Sequence, residues 1–306
     1  MTNQESHLRI AGKSISVRRR IEIRDGYIFV LPALLIISIF VIYPAIQMFI
    51  MSANQYSYIG GVFTAKFIGL KNYIIAFNDP LFFKTMGTSL LFPLMITPIQ
   101  TALALLVAVL LYRNTKFAKF LRTLYFTPMV ISFVAAAMFW KSMLNTNDGV
   151  INALLSIIGL PRQMFLTSPH LALISIVVVC IWKGWGWYMV IFASALNEIS
   201  PELYESANLD GANAWNQFWF ITLPMLRRAM LFVIIMSTMN TIKIFTPVMV
   251  MTGGGPRNST EVIVHYIWSA AFRNNSFGTA SAMSVMLFFI ILLITLIQYR
   301  LMNSEE

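Results

Sequence analysis

Two lysines stand inside apolar runs, and they are the first places where this sequence could do chemistry. Lys183 lies within Trp182-Lys183-Gly184-Trp185-Gly186-Trp187, and Lys243 within Thr241-Ile242-Lys243-Ile244-Phe245. A charge held in a bilayer costs about 3 kcal/mol on insertion scales, so each ammonium must face protein, a water-filled cavity or the interface. Indole faces suit sugar rings or a cation. Read that way, Lys183, Trp182, Trp185 and Lys243 line a path for a polar solute. The plainer alternatives stay open: an interfacial aromatic cluster or interhelix packing at Lys183, and a snorkelling side chain at Lys243. Other chemistries find no residues. His7, His170 and His265 are scattered without ligand spacing, so no metal site is expected. The single cysteine, Cys180, lies in an apolar run and can form no intrachain disulfide. There are no paired carboxylates in an apolar run, no nucleophile elbow and no Walker motif, so no catalytic residue is assigned. Gly253-Gly254-Gly255 lacks the Lys-Ser/Thr ending of a phosphate cradle and reads as a turn.

The elements that must position the lysines are membrane helices. The chain is 58% hydrophobic and 11% charged over 306 residues, far from soluble norms. Six apolar runs are long enough to cross a bilayer, at about 27–50, 88–111, 122–143, 171–195, 225–250 and 280–301. The fold class expected is therefore an all-α integral membrane protein with six spans. A basic arm, 1–26, precedes them and a short tail, 303–306, follows. The first run is too long for a removable signal peptide. A net charge of +10 could suggest nucleic acid, but its distribution follows a membrane. Thirteen Lys and Arg fall on the side of the two termini and seven on the other. The positive-inside rule then places both termini, and the connections 112–121 and 196–224, in the cytoplasm. Pro32, Pro44, Pro93, Pro98, Pro128 and Pro247 read as kinks, and Ala135-Ala136-Ala137 as a close-packing face.

One connection is unlike the rest. Residues 196–224 hold four of the twelve acids, Glu198, Glu202, Glu205 and Asp210. Ser200 is a good N-cap, Pro201 suits the first helical position, and Glu202 and Glu205 favour the positive end of a helix. Gly211 offers a turn before the chain re-enters at Pro224. The order Glu205-Ser206-Ala207, three residues, Gly211, nine residues, Ile221-x-Leu223-Pro224 resembles the EAA signature of binding-protein-dependent ABC importer permeases, with Ser206 where an alanine is usual. The resemblance implies a cytoplasmic coupling helix, over 201–216, that docks on an ATPase through these seven residues.

Further segments resemble the sugar-transporting branch of that family. They are Phe67-Ile68-Gly69-Leu70-Lys71-Asn72-Tyr73 with Asp79-Pro80-x-Phe82, and Arg122-Thr123-x-x-Phe126-x-Pro128, which would open the third span. Asn145 with Gly149-x-x-Asn152-x-Leu154-Leu155 and Thr252-Gly253-Gly254-Gly255-Pro256 with Thr260 and Tyr266 complete the set. The resemblance implies a type I ABC importer permease domain over 27–302 that moves a carbohydrate by alternating access in a bacterial-type inner membrane. Its partners would be a second, homologous permease, two copies of an ATPase and an extracytoplasmic sugar-binding protein, with no nucleic acid. No cofactor is expected on this chain, ATP and Mg belonging to the ATPase. The alternative class is a secondary transporter or channel subunit using Lys183 and Lys243; it would call for intramembrane acids or an inverted repeat, and neither is evident.

Overall fold

The protein is represented by a computed structural model that describes residues 24–59, 62–112 and 115–303. Much of the basic arm (Arg9, Lys13, Arg18, Arg19 and Arg20), Arg113 and the tail residues 304–306 lie outside the described residues. The chain opens with helix α1 (Arg24–Ser52), then an antiparallel hairpin of β1 (Asn54–Ile59) and β2 (Val62–Phe67), with Asn54 opposite Phe67. Next come α2 (Lys71–Phe77), α3 (Pro80–Leu110), α4 (Lys116–Val130), α5 (Phe133–Met143) and α6 (Val150–Ile157). Helix α7 (Pro169–Asn197) leads into α8 (Pro201–Leu209), α9 (Ala214–Met225) and α10 (Arg227–Ile242). Helices α11 (Ile263–Phe272) and α12 (Phe277–Asn303) close the described chain.

Local signals set these boundaries. Asp79 caps α3 by accepting from the Leu81 N–H at 2.9 Å, with Pro80 in the first turn where no N–H is needed. Thr115 caps α4 through the Ala118 N–H at 3.1 Å. Helices α1, α3, α7 and α12 are each long and apolar enough to cross a membrane; the α4–α5 and α9–α10 pairs supply two more crossings if each bent pair counts as one. Six spans were expected, and the number holds with each bent pair taken as one span; what differs is the shape of two of them. The third is not one rod over 122–143. It begins at Lys116, so Arg122 lies inside α4 rather than at the opening, and α4 meets α5 at 95° across Ile131 and Ser132. Pro128, in the last turn of α4, has no N–H to return to the Leu124 carbonyl and weakens the helix just before the break. The fifth run, 225–250, is also interrupted. Helix α10 ends at Ile242, and Pro247 can give no hydrogen bond back to the Lys243 carbonyl.

Helix α7 is the centre of the bundle. It packs on α3 along most of its length, on α4 and on α10. One buried cluster joins Phe92 and Ile96 of α3 to Ile176 and Val179 of α7 and to Val248 and Met251. A second joins Ala104 and Ala108 to Met189, Phe192 and Leu196, and to Leu226 and Val233 at the foot of α10. Between them Ser237 donates to Gln100 Oε1 at 3.0 Å and meets Thr97 Oγ1 at 3.0 Å, so these three buried side chains of α3 and α10 satisfy one another. Helix α1 stands apart: its most apolar stretch is unburied, and Phe49, near its end, meets Phe288 and Phe289 of α12 edge-on.

Candidate functional site

Both intramembrane lysines line one cavity of about 430 Å³ enclosed by α3, α7, the α4–α5 junction and the segment after α10. Its wall mixes polar groups (Gln100, Tyr188, Asn240, Thr241) with the rings of Phe133, Trp187 and Phe245. The two lysines are differently placed. Lys183 is 9% exposed, and its Nζ donates to three backbone carbonyls: Pro128 at 3.0 Å, Met129 at 3.3 Å and Ile131 at 2.7 Å. These are carbonyls that the break between α4 and α5 leaves without helical partners, at the negative end of α4's dipole. A lysine has three N–H donors, so all are used. The ammonium also lies 5.4 Å from the centre of the Phe133 ring, on the far side of the break. Lys183 thus holds both halves of the broken span.

Close approach makes that reach possible. A Cβ on Gly186 would come within 2.2 Å of the Tyr125 carbonyl oxygen, so only glycine lets α7 lie this near α4. The aromatic expectations separate by helical phase. Trp187, one turn on from Lys183, lines the cavity. Trp182 and Trp185 do not: they line a second hollow with Tyr125 and Pro128. There Trp182 packs on Trp140 at 5.4 Å and Trp185 on Tyr125 at 5.0 Å. Lys243 follows the last residue of α10, faces the same cavity as Lys183 and is exposed.

The acidic connection forms a separate unit at the foot of α7 and α10. Ser200 accepts from the Glu202 N–H at 3.3 Å, Pro201 opens α8, and α8 closes in a Schellman turn. In that turn the Ala212 N–H reaches the Ala207 carbonyl at 2.9 Å and the Gly211 N–H reaches Asn208 at 3.1 Å. Gly211 has φ +79°, with open space where a Cβ would stand. Its glycine is therefore required by backbone conformation and not by crowding. The helix expected over 201–216 is accordingly two: α8 ends at Leu209, and Asn213 caps α9 through the Asn216 N–H at 2.9 Å. Two side-chain bonds tie the halves together, Tyr204 OH to Thr222 Oγ1 at 2.9 Å and Gln217 Nε2 to Asn208 Oδ1 at 2.6 Å. Glu205 and Ser206 are exposed, while Ala207, Ile221 and Leu223 are half-buried. Pro224 is exposed two residues before the buried Leu226, where α9 turns 66° into α10. The motif therefore divides into an exposed face on α8 and an anchoring strip on α9.

The Asn72, Asp79, Asn152 and Tyr266 motifs are fastenings at the opposite end of the bundle. Asn72 is buried and donates to the Ser52 and Asn54 carbonyls at 2.8 and 2.9 Å. Asn152 spans its loop, donating to the Gln163 carbonyl at 2.9 Å and accepting from the Gln163 N–H at 2.8 Å. Tyr266 OH donates to Asp79; burial and that carboxylate raise its phenol above the usual range. One pair escaped the sequence reading. His265 Nδ1 lies 2.5 Å from Glu261 Oε1, both buried, with the imidazole between Phe245 and Trp268. Its only sequence signal is the i, i+4 spacing. Among the described residues no group of three His, Cys, Asp or Glu could hold a metal ion.

Comparison with known proteins agrees with this architecture. The lactose transport system permease protein of Rhizobium radiobacter is 33% identical over 281 residues, covering 90% of this chain and 93% of its own. The sn-glycerol-3-phosphate transport system permease protein of Agrobacterium fabrum is 27% identical, covering 91% and 94%. Among solved structures, the bacterial alginate ABC transporter in complex with an alginate pentasaccharide-bound periplasmic protein aligns with a TM-score of 0.81 at 23% identity, over 94% of this chain and 96% of that one, and shares the fold. Residues 100–304 match the family described as binding-protein-dependent transport system inner membrane component, and the chain belongs to that family.

Proposed function

We propose that this chain is the permease subunit of an ATP-driven importer that moves a carbohydrate delivered by an extracytoplasmic binding protein. The observation that carries the reading is the exposed face of α8, held to the foot of α9 by Tyr204–Thr222 and Gln217–Asn208. A short helix presented on a rigid mount suits docking, because movement of the partner is passed to the spans and not lost in a slack loop. Glu205, Ser206, Ala207 and Gly211 form and present the docking face; Ile221, Leu223 and Pro224 fix it to the bundle. An ATPase dimer would bind there and carry ATP and Mg, so that hydrolysis happens on another chain. A second, similar permease would complete the path. The connection 196–224 and both termini would face the cytoplasm, in a bacterial-type inner membrane. Relatives' names include lactose, multiple sugars and glycerol phosphate, which supports sugar-like cargo. The cavity bearing Lys183 and Lys243 is the position along the path where that cargo would rest. Mechanistically, the docking contacts must differ in strength between two arrangements of the spans, since only a differential interaction shifts an equilibrium.

Nothing observed favours a secondary transporter or channel, whose chemistry would need Lys183 free; its donors are occupied by backbone. The test is purification of the tagged chain from its native membrane with assays of ATPase content, stimulation of hydrolysis by the binding protein, and sugar uptake. Glu205→Ala should weaken all three. A chain that transports a sugar with no ATPase attached would overturn the proposal.

A further inference from the structure

The two ammonium groups on the cavity are unequal, and the inequality points to the cargo. Gln100 accepts from Ser237, and Asn240 donates to Tyr188 OH at 3.4 Å. Lys183 has all three donors on carbonyls. Much of the polar wall is thus engaged within the chain. Lys243 is the exception: its Nζ has no hydrogen bond or ion pair to any described residue, and no carboxylate lines the cavity. Lys183 is already faced by three carbonyls at the negative end of α4, so Lys243 is the ammonium left to meet an anion in the cavity. A cation in such a site is stabilised by a counter-charge, and none of the described lining residues supplies one.

We propose that Lys243 recognises an anionic group, a carboxylate or a phosphate, on the carbohydrate being moved; the inference rests on the reading of this cavity as part of the transport path. The rings of Trp187 and Phe245 would take the sugar faces, and Lys243 would hold the anion. Cargo lacking the charge would leave Lys243 unpaired, which gives the site a preference by charge and not by shape.

The test uses the whole transporter in proteoliposomes, with Thr246→Cys as a reporter on the cavity wall in a Cys180→Ser background. Its rates of modification by an anionic and a cationic methanethiosulfonate reagent are compared. Adding Lys243→Met should lower the anionic-to-cationic rate ratio about tenfold, as removal of one charge about 6 Å away in water-like surroundings implies. Lys243→Arg should leave the ratio unchanged, which separates charge from folding. Protection is then measured with galacturonate, galactose 6-phosphate and galactose. One of the charged sugars should protect Thr246→Cys at least several-fold better than galactose, the better of the two naming the anion, and Lys243→Met should remove the difference. A ratio unaltered by Lys243→Met would overturn the proposal, because another subunit's carboxylate would already neutralise the lysine. Equal protection by galactose would also overturn it while leaving the path reading intact. If none of the three sugars protects, the path reading fails and this inference fails with it.

Discussion

Replacing Lys183 by methionine removes three hydrogen bonds at one point and tests what holds the third span in its bent form. The carbonyls of Pro128, Met129 and Ile131 lose their donor, and the buried site gives them no obvious substitute. Hydrogen bonds to a charged group contribute about 1.5–3 kcal/mol each, so the gross loss is roughly 4.5–9 kcal/mol. The variant also escapes the cost of holding an ammonium in the bilayer, about 3 kcal/mol. The net destabilisation of the bend is then roughly 4 kcal/mol, enough to shift a two-state equilibrium by about a thousandfold. Lys183→Arg keeps a charged donor with several N–H groups and should recover much of it. Spin labels at Phe120 on α4 and Met138 on α5, both exposed side chains, report the angle between the halves. The wild type and Lys183→Arg should give a narrow distance distribution, and Lys183→Met a broad or displaced one. An unchanged distribution in Lys183→Met, with an unchanged melting midpoint of the solubilised complex, would refute the reasoning.

Three other outcomes are expected. Gly211→Asn should retain the ATPase on purification and Gly211→Val should lose much of it, because the positive φ costs a branched residue about 1–2 kcal/mol while the surrounding space is open; equal retention would mean that the turn does not set the docking face. Gly186→Ala should lower the melting midpoint by forcing α7 away from the Tyr125 carbonyl, an overpacking cost of about 1–3 kcal/mol, whereas Gly184→Ala meets only the flexible Gln100 side chain and should cost less; the reverse order would contradict the close-approach argument. Asn208→Cys in a Cys180→Ser background should resist an impermeant thiol reagent applied to intact cells and react after the membrane is opened. Labelling from outside would reverse the sidedness read from the positive charges.

The apolar runs were legible because lipid demands about twenty apolar residues in succession, and composition alone reports that. The turn at Gly211 was legible for a related reason, since glycine is the residue type that a left-handed backbone selects. The break at Ile131 and Ser132 was hidden. Its nearest mark, Pro128, lies three residues upstream, and proline in a membrane helix is as often a gentle kink. Lys183 stood out as a charge in an apolar run, but its partners are backbone carbonyls, which every residue possesses and no sequence pattern announces. The three neighbouring tryptophans read as one cluster; helical phase sends Trp187 to the cavity and the other two elsewhere. Asn72, Asp79 and Asn152 were recognised as parts of motifs, and the structure gives them a shared reason, since each ties backbone at the end of an element or in a loop.

Three helical stretches, Ser38–Ile42, Phe218–Thr222 and Val248–Thr252, are wound wider than an α-helix, each closing with an amide that reaches back five residues. A residue inserted in this way advances the helical phase by about 100°, so every side chain beyond it points to a different compass bearing than simple counting assigns. At Phe218–Thr222 this happens between the cap of α9 and Leu223 and Pro224, with Ile221 inside the wide turn itself. The nine-residue interval from Gly211 to Ile221 is therefore a measure of rotation as much as of length. A deletion of one residue there would keep every side chain of the motif and still turn the proposed docking face away, like a key cut correctly but entered a quarter-turn out.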